Sequence, residues 1–350
     1  MTTPVVIIAP ESEPGRGGVG DYTLRLLEKL PGRKQVRVLV PSGDLAQLPP
    51  NIDSVLVQYS AYGFDRFGFP RNLIRGLIDW KKQTGRRLVV MFHEIWTFWP
   101  VTNKNFFVQL LHRQAIKRLL QHVDVALTST PSQAQHLEAL SPGTPVYVLP
   151  VGSNIQPRGD IDLPRKPEWA VLFGLQRARI RALQKMQASL VSLAAAKRIT
   201  KIISVGASSG SQGDAEERRL LEDLPLAEGS EQRGAQSEEA ISETLATAAF
   251  GIFGQGELSY GKSGTFMAYA AHGLNILADC ADASKPAPLC WLVAPRELLG
   301  GIASADLQKR AERLRAWQNQ TSSWDRIGAS VAEALKLSST TPLQVPTASR

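Results

Sequence analysis

One stretch of the sequence, residues 250–279 (FGIFGQGELSYGKSGTFMAYAAHGLNILAD), combines glycines, a lysine and hydroxyl side chains in a pattern that can hold a phosphate group. Residues 250–253 predict a short buried strand, residues 254–262 a polar loop, and residues 263–272 a helix that Gly273 ends. Backbone amides at such a loop and helix start point at an anion, and the helix dipole favours negative charge there. The sequence therefore predicts a phosphate site at this strand–loop–helix junction.

Residues 256–263 match the nucleoside triphosphate motif G-x-x-x-x-G-K-[ST] at every position. The place of the motif in the chain argues against a P-loop NTPase, because a P-loop normally opens its domain and a Mg²⁺-binding acid follows on a separate, later strand. Asp279 ends an apolar strand, but that strand is the very next one. Three interpretations stay open: a P-loop, a phosphate loop of another kind, and a glycine turn with an exposed lysine.

Residues 15–20 (GRGGVG) satisfy the dinucleotide-binding motif G-x-G-x-x-G between a predicted strand and a predicted helix. The strand ends several residues before Gly15, and the next strand carries no acid at its end for a ribose hydroxyl. We therefore favour a glycine loop that lets a substrate or phosphate approach the backbone. Nicotinamide binding and a glycine turn without a ligand are the alternatives.

His93 follows a predicted strand at residues 88–92, in the sequence MFHEIW. Functional side chains of an open α/β sheet lie at the carboxyl ends of its strands. A lone histidine is more often structural, but the strand-end position, with Glu94 beside it, makes a functional role about as plausible. The five histidines and two cysteines form no cluster with metal-ligand spacing.

The composition indicates a globular protein of two domains: the chain has 350 residues, 43% of them hydrophobic, and no apolar run long enough to span a bilayer. Without a signal peptide pattern, we expect a cytoplasmic protein whose Cys280 and Cys290 are free thiols. The net charge is +8, and residues 71–118 alone hold ten Lys and Arg against two acids. Aromatic residues lie beside these cations in the sequence. This pattern fits contact with the inner face of a membrane about as well as it fits a solvated basic face whose neighbouring aromatic residues belong to the core.

Short apolar segments alternate with helical patterns along the chain, which predicts parallel, doubly wound α/β sheets. The pattern starts again after a linker rich in proline and glycine. We therefore predict two Rossmann-like domains, residues 1–155 and 156–337, that face each other across a cleft, and a flexible tail at residues 338–350. The last helix, residues 324–335, is a candidate for packing back on the first domain.

Individual elements are also predicted. The first helix is expected at residues 21–30, after a glycine loop at residues 17–20, and the first helix of the second domain at residues 179–197. Another amphipathic helix, residues 236–248, is expected to begin with Ser237 as its cap.

Several motifs, in this order and spacing, resemble those of GT-B glycosyltransferases of family 4, the glycosyl-transferase group 1 type, over nearly the whole chain. Residues 17–22 (GGVGDY) resemble the family's GGV loop, and residues 92–96 (FHEIW) resemble its H-[DE] segment. Residues 148–154 (VLPVGSN) resemble the run before its hinge, and Phe173 with Gly174 opens the second domain as in the family. Residues 268–278 (AYAAHGLNILA) resemble its EAMACGVPVIA segment.

The chain departs from this family in its opening phosphate stretch. The family usually has two glutamates eight positions apart, one that contacts the sugar and one that holds the donor ribose. Alignment on residues 271–273 puts Tyr260 and Ala268 at these positions, so both acids are absent. This departure from the family therefore implies an altered recognition of the sugar donor.

The resemblance implies a retaining transfer of a sugar from a nucleotide-diphosphate donor to a saccharide, lipid-linked or other acceptor, without a metal or other cofactor and without nucleic acid. Negative charge on the leaving diphosphate would be offset by helix termini and cations. His93, Arg181 and Lys262 are the implied catalytic residues, with Arg177 and Arg179 as near alternatives to Arg181. The implied donor-binding residues are Gly17, Gly18, Arg177, Gly261, Ser263, Gly264 and Thr265.

Three other functions stay open. The absent glutamates are compatible with a non-catalytic GT-B protein that binds nucleotide sugars. Residues 256–263 keep a P-loop NTPase in consideration, and a GT-B-fold epimerase would convert a sugar nucleotide without an acceptor.

Overall fold

The computed structural model of the protein describes the greater part of the chain, namely residues 5–10, 18–31, 36–39, 48, 52–96, 102, 106–159 and 164–337. The predicted loop residue Gly17 and the predicted tail at residues 338–350 lie outside the described residues.

The first of two sheets has six parallel strands in the order β2-β1-β3-β4-β5-β6. Its strands are β1 (Val5–Ile8), β2 (Val36–Leu39), β3 (Ser54–Tyr59), β4 (Arg87–Phe92), β5 (Val125–Thr128) and β6 (Val146–Val148). The helices between them are α1 (Gly18–Lys29), α2 (Ala61–Phe64), α3 (Arg71–Thr84), α4 (Phe106–Leu120) and α5 (Pro131–Leu140).

The second sheet has five parallel strands in the order β11-β10-β7-β8-β9. Its strands are β7 (Lys166–Phe173), β8 (Lys201–Val205), β9 (Ser230–Gln232), β10 (Ala248–Ile252) and β11 (Asn275–Leu277). Its helices are α6 (Gln176–Ala195), α7 (Ser211–Glu222), α8 (Glu238–Thr247), α9 (Gly264–Ala271), α10 (Pro295–Leu299) and α11 (Ser304–Ser322). The last helix is α12 (Trp324–Ala334).

Helices cover the strands so completely that β1 and β3 are buried at every position. Strands buried on both faces need apolar residues without alternation, which is why these segments could be predicted as strands of a parallel sheet. The predicted doubly wound α/β class is confirmed.

The chain divides into two compact units. The first unit comprises Met1–Gly152 with Trp324–Arg350, and the second comprises Ser153–Ser323. Helix α12 therefore belongs to the first unit, where Trp324 lies 5.3 Å from the ring of Tyr22 in α1.

Some element boundaries differ from the predictions. Helix α1 begins at Gly18, so the predicted glycine loop at residues 17–20 is wrong for its described part. Helix α6 begins three residues early, because the residue before it, Leu175, has no side-chain cap that the sequence could signal. The polar loop predicted at residues 254–262 contains a 3-10 helix, Glu257–Lys262. Ser237 is confirmed as a cap: its Oγ accepts a hydrogen bond from the Ala240 N–H at 3.3 Å.

Candidate functional site

In the second unit, helix α9 starts at the carboxyl end of β10 with free backbone donors. Ser263 caps the helix, because its Oγ accepts a hydrogen bond from the Phe266 N–H at 3.2 Å. The N–H of Ser263 itself donates to the Tyr260 carbonyl at 3.1 Å, within the last turn of the 3-10 helix. The N–H groups of Gly264 and Thr265 have no acceptor within the helix, since a helix leaves its first amides unpaired. These two amides form the positive end of α9.

A buried tyrosine fixes α9 against the sheet. The Tyr269 hydroxyl accepts a hydrogen bond from the Phe173 N–H at 2.8 Å and donates to the Val171 carbonyl at 3.1 Å. Gly251 of β10 makes room for it, because a Cβ at this position would lie 2.5 Å from the Tyr269 ring. The position of α9 relative to the ends of β7 and β10 is therefore fixed.

Glycine turns after neighbouring strands meet the start of α9. A Cβ on Gly174, which follows β7, would lie 2.7 Å from Thr265 Oγ1. Gly206, which follows β8, has a φ of +142° and donates its N–H to the Gly234 carbonyl at 2.9 Å. A side chain on Gly206 would collide with the Gly174 carbonyl oxygen. The turns after β7, β8 and β9 and the first turn of α9 thus lie together at one edge of the sheet.

An ion pair beneath these turns holds two of them in place. Arg179 is 3% and Glu217 1% exposed, and the guanidinium donates from Nε and Nη2 to the two carboxylate oxygens at 2.8 and 2.9 Å. Arg179 also donates to the Gly174 carbonyl, and Ser204 of β8 donates its hydroxyl to Glu217. Burial alone would raise the pKa of Glu217, but the hydrogen bonds from Arg179 and Ser204 lower it below its ordinary value. Sequence reasoning considered Arg179 as a phosphate contact and missed Glu217.

Gln176, the first residue of α6, extends this network towards the surface. Its amide Nε2 donates to Asp214 at 2.7 Å and to Glu217 at 3.1 Å. Its Oε1 accepts hydrogen bonds from the backbone N–H and the hydroxyl of Ser209, at 2.7 and 2.6 Å. The segment between β8 and α7 is therefore tied to the start of α6.

The cations predicted to meet a phosphate lie on the surface around this edge. Lys262, Arg177 and Arg181 are exposed, and none of them forms an ion pair with another described residue. Arg181 directly precedes Ala182 in α6. A Cβ built on Gly254 would lie 2.5 Å from the Cβ of Ala182. The helix turn that carries Arg181 therefore lies directly against the segment after β10.

In the first unit, His93 follows β4 at the carboxyl end of its sheet. Its Nε2 lies 2.7 Å from the Oε1 of Gln58, which is fully buried on β3, and its ring contacts the Tyr22 ring edge-on at 4.9 Å. His93 keeps partial surface exposure, yet the surrounding protein desolvates the ring and lowers its pKa to about 4. The imidazole is therefore neutral near pH 7.

The backbone of His93 is held as well. Gln133 Nε2 lies 3.4 Å from the His93 carbonyl, and Gln133 Oε1 accepts a hydrogen bond from the Thr128 hydroxyl at 2.7 Å. The neighbouring Glu94 is exposed, and the Ser60 hydroxyl lies 3.4 Å from its carboxylate. His93 thus lies at the predicted strand end, in a polar site that it forms with Gln58, Gln133 and Thr128. Sequence reasoning missed these three partners.

No family model matches the sequence, and no curated protein matches it significantly. Solved structures match the fold. WaaG, a glycosyltransferase involved in lipopolysaccharide biosynthesis, is 13% identical, with a TM-score of 0.58 over 94% of this chain and 99% of WaaG. An alpha-glucosyltransferase in complex with UDP-glucose and DNA is 12% identical, with a TM-score of 0.54 over 96% and 99%. An α,α-trehalose 6-phosphate synthase from Burkholderia multivorans is 10% identical, with a TM-score of 0.57 over 96% and 97%.

The chain has the GT-B fold. At these identities the likeness concerns the fold alone, and the predicted GT-B architecture of two parallel-sheet units is confirmed by it. The carboxyl edges of both sheets are where this class of α/β fold binds its ligands. The residues described above at these two edges are therefore the candidate site of each unit.

The two positions at which the family that the sequence resembles has glutamates differ in burial, because Tyr260 is half-buried and Ala268 is fully buried. Ala268 is fully buried inside α9, and the Tyr260 ring lies 5.6 Å from Phe266 and 6.0 Å from Trp317. Glu257, the nearby acid, forms an ion pair with Lys285. A carboxylate at position 268 would need a different local packing.

The geometry of residues 256–263 does not suit a P-loop. The 3-10 helix Glu257–Lys262 uses its amides in internal hydrogen bonds, and neither Gly256 nor Gly261 has a positive φ. A phosphate-cradling nest needs successive amides that point inward from left- and right-handed backbone. The motif match is therefore a coincidence of residue types, although the start of α9 keeps its donors.

Gly18, the described part of the glycine loop, lies exposed at the start of α1, and a Cβ there would meet no atom within 4 Å. Among the described residues, no group of three or more His, Cys, Asp and Glu comes together to hold a metal ion. Within the same residues, none of the helices has the length and hydropathy needed to span a bilayer. Cys280 and Cys290 are free, as predicted.

Proposed function

We propose that the protein is a retaining glycosyltransferase of family 4 type that moves a sugar from a nucleotide-diphosphate donor to a saccharide, lipid-linked or other acceptor. The observation that carries this proposal is the start of α9, where two amides without helix acceptors lie between Lys262 and the Gly174 turn. One structure of the same fold contains UDP-glucose, which supports a nucleotide sugar as donor.

The chemical task of this edge would be to stabilise the leaving nucleoside diphosphate. When the bond to the sugar breaks, negative charge builds up on the β-phosphate oxygens. The N–H groups of Gly264 and Thr265 and the ammonium of Lys262 can donate to them, and Arg177 or Arg181 can add a guanidinium. Arg179 is not available for this role, because Glu217 binds it. These groups supply the positive charge without a metal ion, so we propose a metal-independent reaction.

In the first unit, His93 would act as a neutral hydrogen-bonding group. With a pKa of about 4 it carries no charge near pH 7, so it can contact a hydroxyl of the reacting sugar or acceptor but not a phosphate as a cation. Gly17 and Gly18 would let the backbone before and at the start of α1 approach the donor. We place the acceptor on this unit and the protein in the cytoplasm, at the inner face of a membrane.

A nucleotide-sugar binding protein without transferase activity is the second candidate. It is favoured by one observation: the two glutamate positions hold Tyr260 and Ala268, both packed against protein atoms. Such a protein would bind the donor through the same α9 start and release no sugar.

The test is a thermal-shift panel with UDP, GDP, ADP and their sugars, followed by hydrolysis and transfer assays on the donors that bind. A ligand at about a hundred times its Kd should stabilise the protein by about 2.7 kcal/mol. Donor hydrolysis or transfer with retained anomeric configuration supports the transferase. Tight binding without turnover would favour the binding protein. Conversion of the sugar nucleotide without an acceptor would favour an epimerase, and Mg²⁺-dependent ATP hydrolysis would favour a P-loop NTPase.

A further inference from the structure

The first half of α4 turns apolar side chains to the solvent and polar side chains to the protein. Phe107 is 72% and Leu111 49% exposed, whereas Gln109 is 7% and His112 4% exposed. An amphipathic helix of a soluble domain normally does the opposite. The second half of the helix follows that rule, with Ile116 fully buried. The inversion is therefore confined to the helix start, and folding of the unit alone does not explain it.

A second exposed apolar segment lies against this half of α4. Tyr62 and Phe67 are 47% and 65% exposed, and the His112 ring connects the two segments, because it lies 6.3 Å from the Tyr62 ring and stacks on Phe69 at 5.7 Å. Six of the ten exposed large apolar side chains among the described residues lie here. We call them the apolar tip: Tyr62, Phe67, Phe107, Val108, Leu110 and Leu111.

Cations surround the apolar tip. The Arg66 guanidinium lies 4.4 Å from the centroid of the Phe67 ring. Within residues 61–75 and 106–118 the sequence has one acid, Asp65, whose Oδ1 accepts the N–H groups of Phe67 and Phe69 at 2.8 and 3.1 Å. The exposed cations of these two segments, none of which pairs with an acid among the described residues, are Arg66, Arg71, Arg75, Arg113, Lys117 and Arg118.

We propose that this face docks on an anionic lipid membrane, with the apolar tip in the interfacial layer and the surrounding cations on lipid phosphates. An apolar centre inside a cationic ring matches the two zones of an anionic membrane surface. A second copy of the chain fits less well, because a twofold contact would bring the same uncompensated cations together. The proposal does not depend on glycosyl transfer.

The test is sedimentation of the full chain with vesicles of phosphatidylcholine alone and of phosphatidylcholine mixed with phosphatidylglycerol. We expect binding to the mixed vesicles that weakens as salt is added, since cation–lipid attraction is screened. The double variant Phe107→Ser with Leu111→Ser should bind at least about tenfold more weakly, because two apolar side chains no longer enter the lipid layer. Arg113→Gln with Lys117→Gln should weaken binding to mixed vesicles selectively.

The control is Leu299→Ser, which replaces a 38% exposed leucine of α10 in the second unit and should bind as the unchanged chain does. Circular dichroism and melting curves establish that each variant folds, as expected for exposed positions. Equal binding by the double variant and the unchanged chain, or no binding to either vesicle, would overturn the proposal. So would a dimer in light scattering that the same double substitution dissociates, since the tip would then be an interface between copies.

Discussion

His93 and Gln58 form a pair in which one side chain orients the other. The Gln58 oxygen lies 2.7 Å from His93 Nε2, so in the neutral ring this nitrogen carries the proton and Nδ1 keeps its lone pair. Nδ1 has no partner among the described residues and is not one of their buried, unpartnered nitrogens. The lone pair is therefore on the open side of the ring, where a substrate hydroxyl could donate to it.

This pairing predicts the effect of Gln58→Glu. A carboxylate at the same place stabilises the protonated imidazole, so the pKa of His93 should rise from about 4 towards or above its ordinary value near 6.5. NMR titration of the His93 ring, assigned by its loss in His93→Gln, measures the shift. Gln58→Leu is the matched control that removes the oxygen without adding charge, and its His93 pKa should stay low. An unchanged pKa in Gln58→Glu would show that the two side chains do not interact in solution.

His272 predicts a dependence of stability on pH. It is 6% exposed, its Nε2 lies 2.9 Å from the Ser242 hydroxyl oxygen, and burial lowers its pKa to about 4. In the unfolded chain the His272 imidazole becomes protonated near pH 6.5, whereas in the folded protein it stays neutral down to about pH 4. The free energy of unfolding should therefore fall as the pH drops through this window, by about 2 kcal/mol at pH 5 for this residue.

Urea denaturation of the unchanged chain and of His272→Gln, at pH 7 and pH 5, measures this contribution. The variant should lose less stability between the two pH values, even if it is less stable at both. Identical losses would mean that His272 is not desolvated as the structure indicates.

At the scale of elements, the Arg179–Glu217 pair connects α6 and α7 beneath the turns that follow β7 and β8. Breaking one half of a buried pair leaves an uncompensated charge and costs about 3–5 kcal/mol. Glu217→Ala should therefore lower the free energy of unfolding by several kcal/mol in a denaturant titration. The control is Glu216→Ala on the same helix, a half-buried side chain whose one hydrogen-bond donor among the described residues is Gln184, and it should change stability far less. Equal effects of the two substitutions would contradict the structural role of Glu217.

The sequence could predict most elements but not this pair. Largely apolar segments such as β3 and β4 are recognisable because both faces of a parallel strand are buried. Glu217 shares a helix face with Leu220 and Leu221, which is a periodic signal for burial, but its charge argued for solvent. Its burial depends on Arg179, thirty-eight residues away in sequence, and such a pairing has no local signature.

The candidate site was predictable to a similar degree. The helix start at residues 263–265 follows from capping and glycine patterns, and Ser263 is the cap. The 3-10 helix before it was not predictable, because the residues Glu257–Lys262 look like a polar loop and match a phosphate motif by type. Whether an amide is free depends on backbone conformation, which residue types alone do not fix.

At the scale of the molecule, the chain returns to its first unit at the end. Helix α12 buries Trp324 and Ile327 in the apolar cluster that also holds Val5 and Met91, and Asp325 forms an ion pair with Lys29 at 2.8 Å. Burying several such side chains contributes roughly 1.5–3 kcal/mol each. The first unit therefore depends on residues from both ends of the sequence.

Truncation after residue 323 should consequently unfold or strongly destabilise the first unit. Two thermal transitions, or one transition with a much lower midpoint, are the expected result in calorimetry. A chain that ends at residue 337 keeps α12 and is the matched control, with an unchanged melting curve expected. A truncated protein that melts like the control would show that α12 is dispensable for the first unit.

In the proposed function, the start of α9 and Lys262 bind the diphosphate of a sugar donor. Isothermal titration of the nucleoside diphosphate that gives the largest thermal shift tests it directly, on the unchanged chain and on Lys262→Ala. A charge-assisted contact contributes about 1.5–3 kcal/mol, so the variant should bind roughly 10- to 150-fold more weakly. Lys309→Ala, at an exposed position on α11, should bind as the unchanged chain does. Equal affinities of Lys262→Ala and the unchanged chain, or no diphosphate binding at all, would contradict the claim.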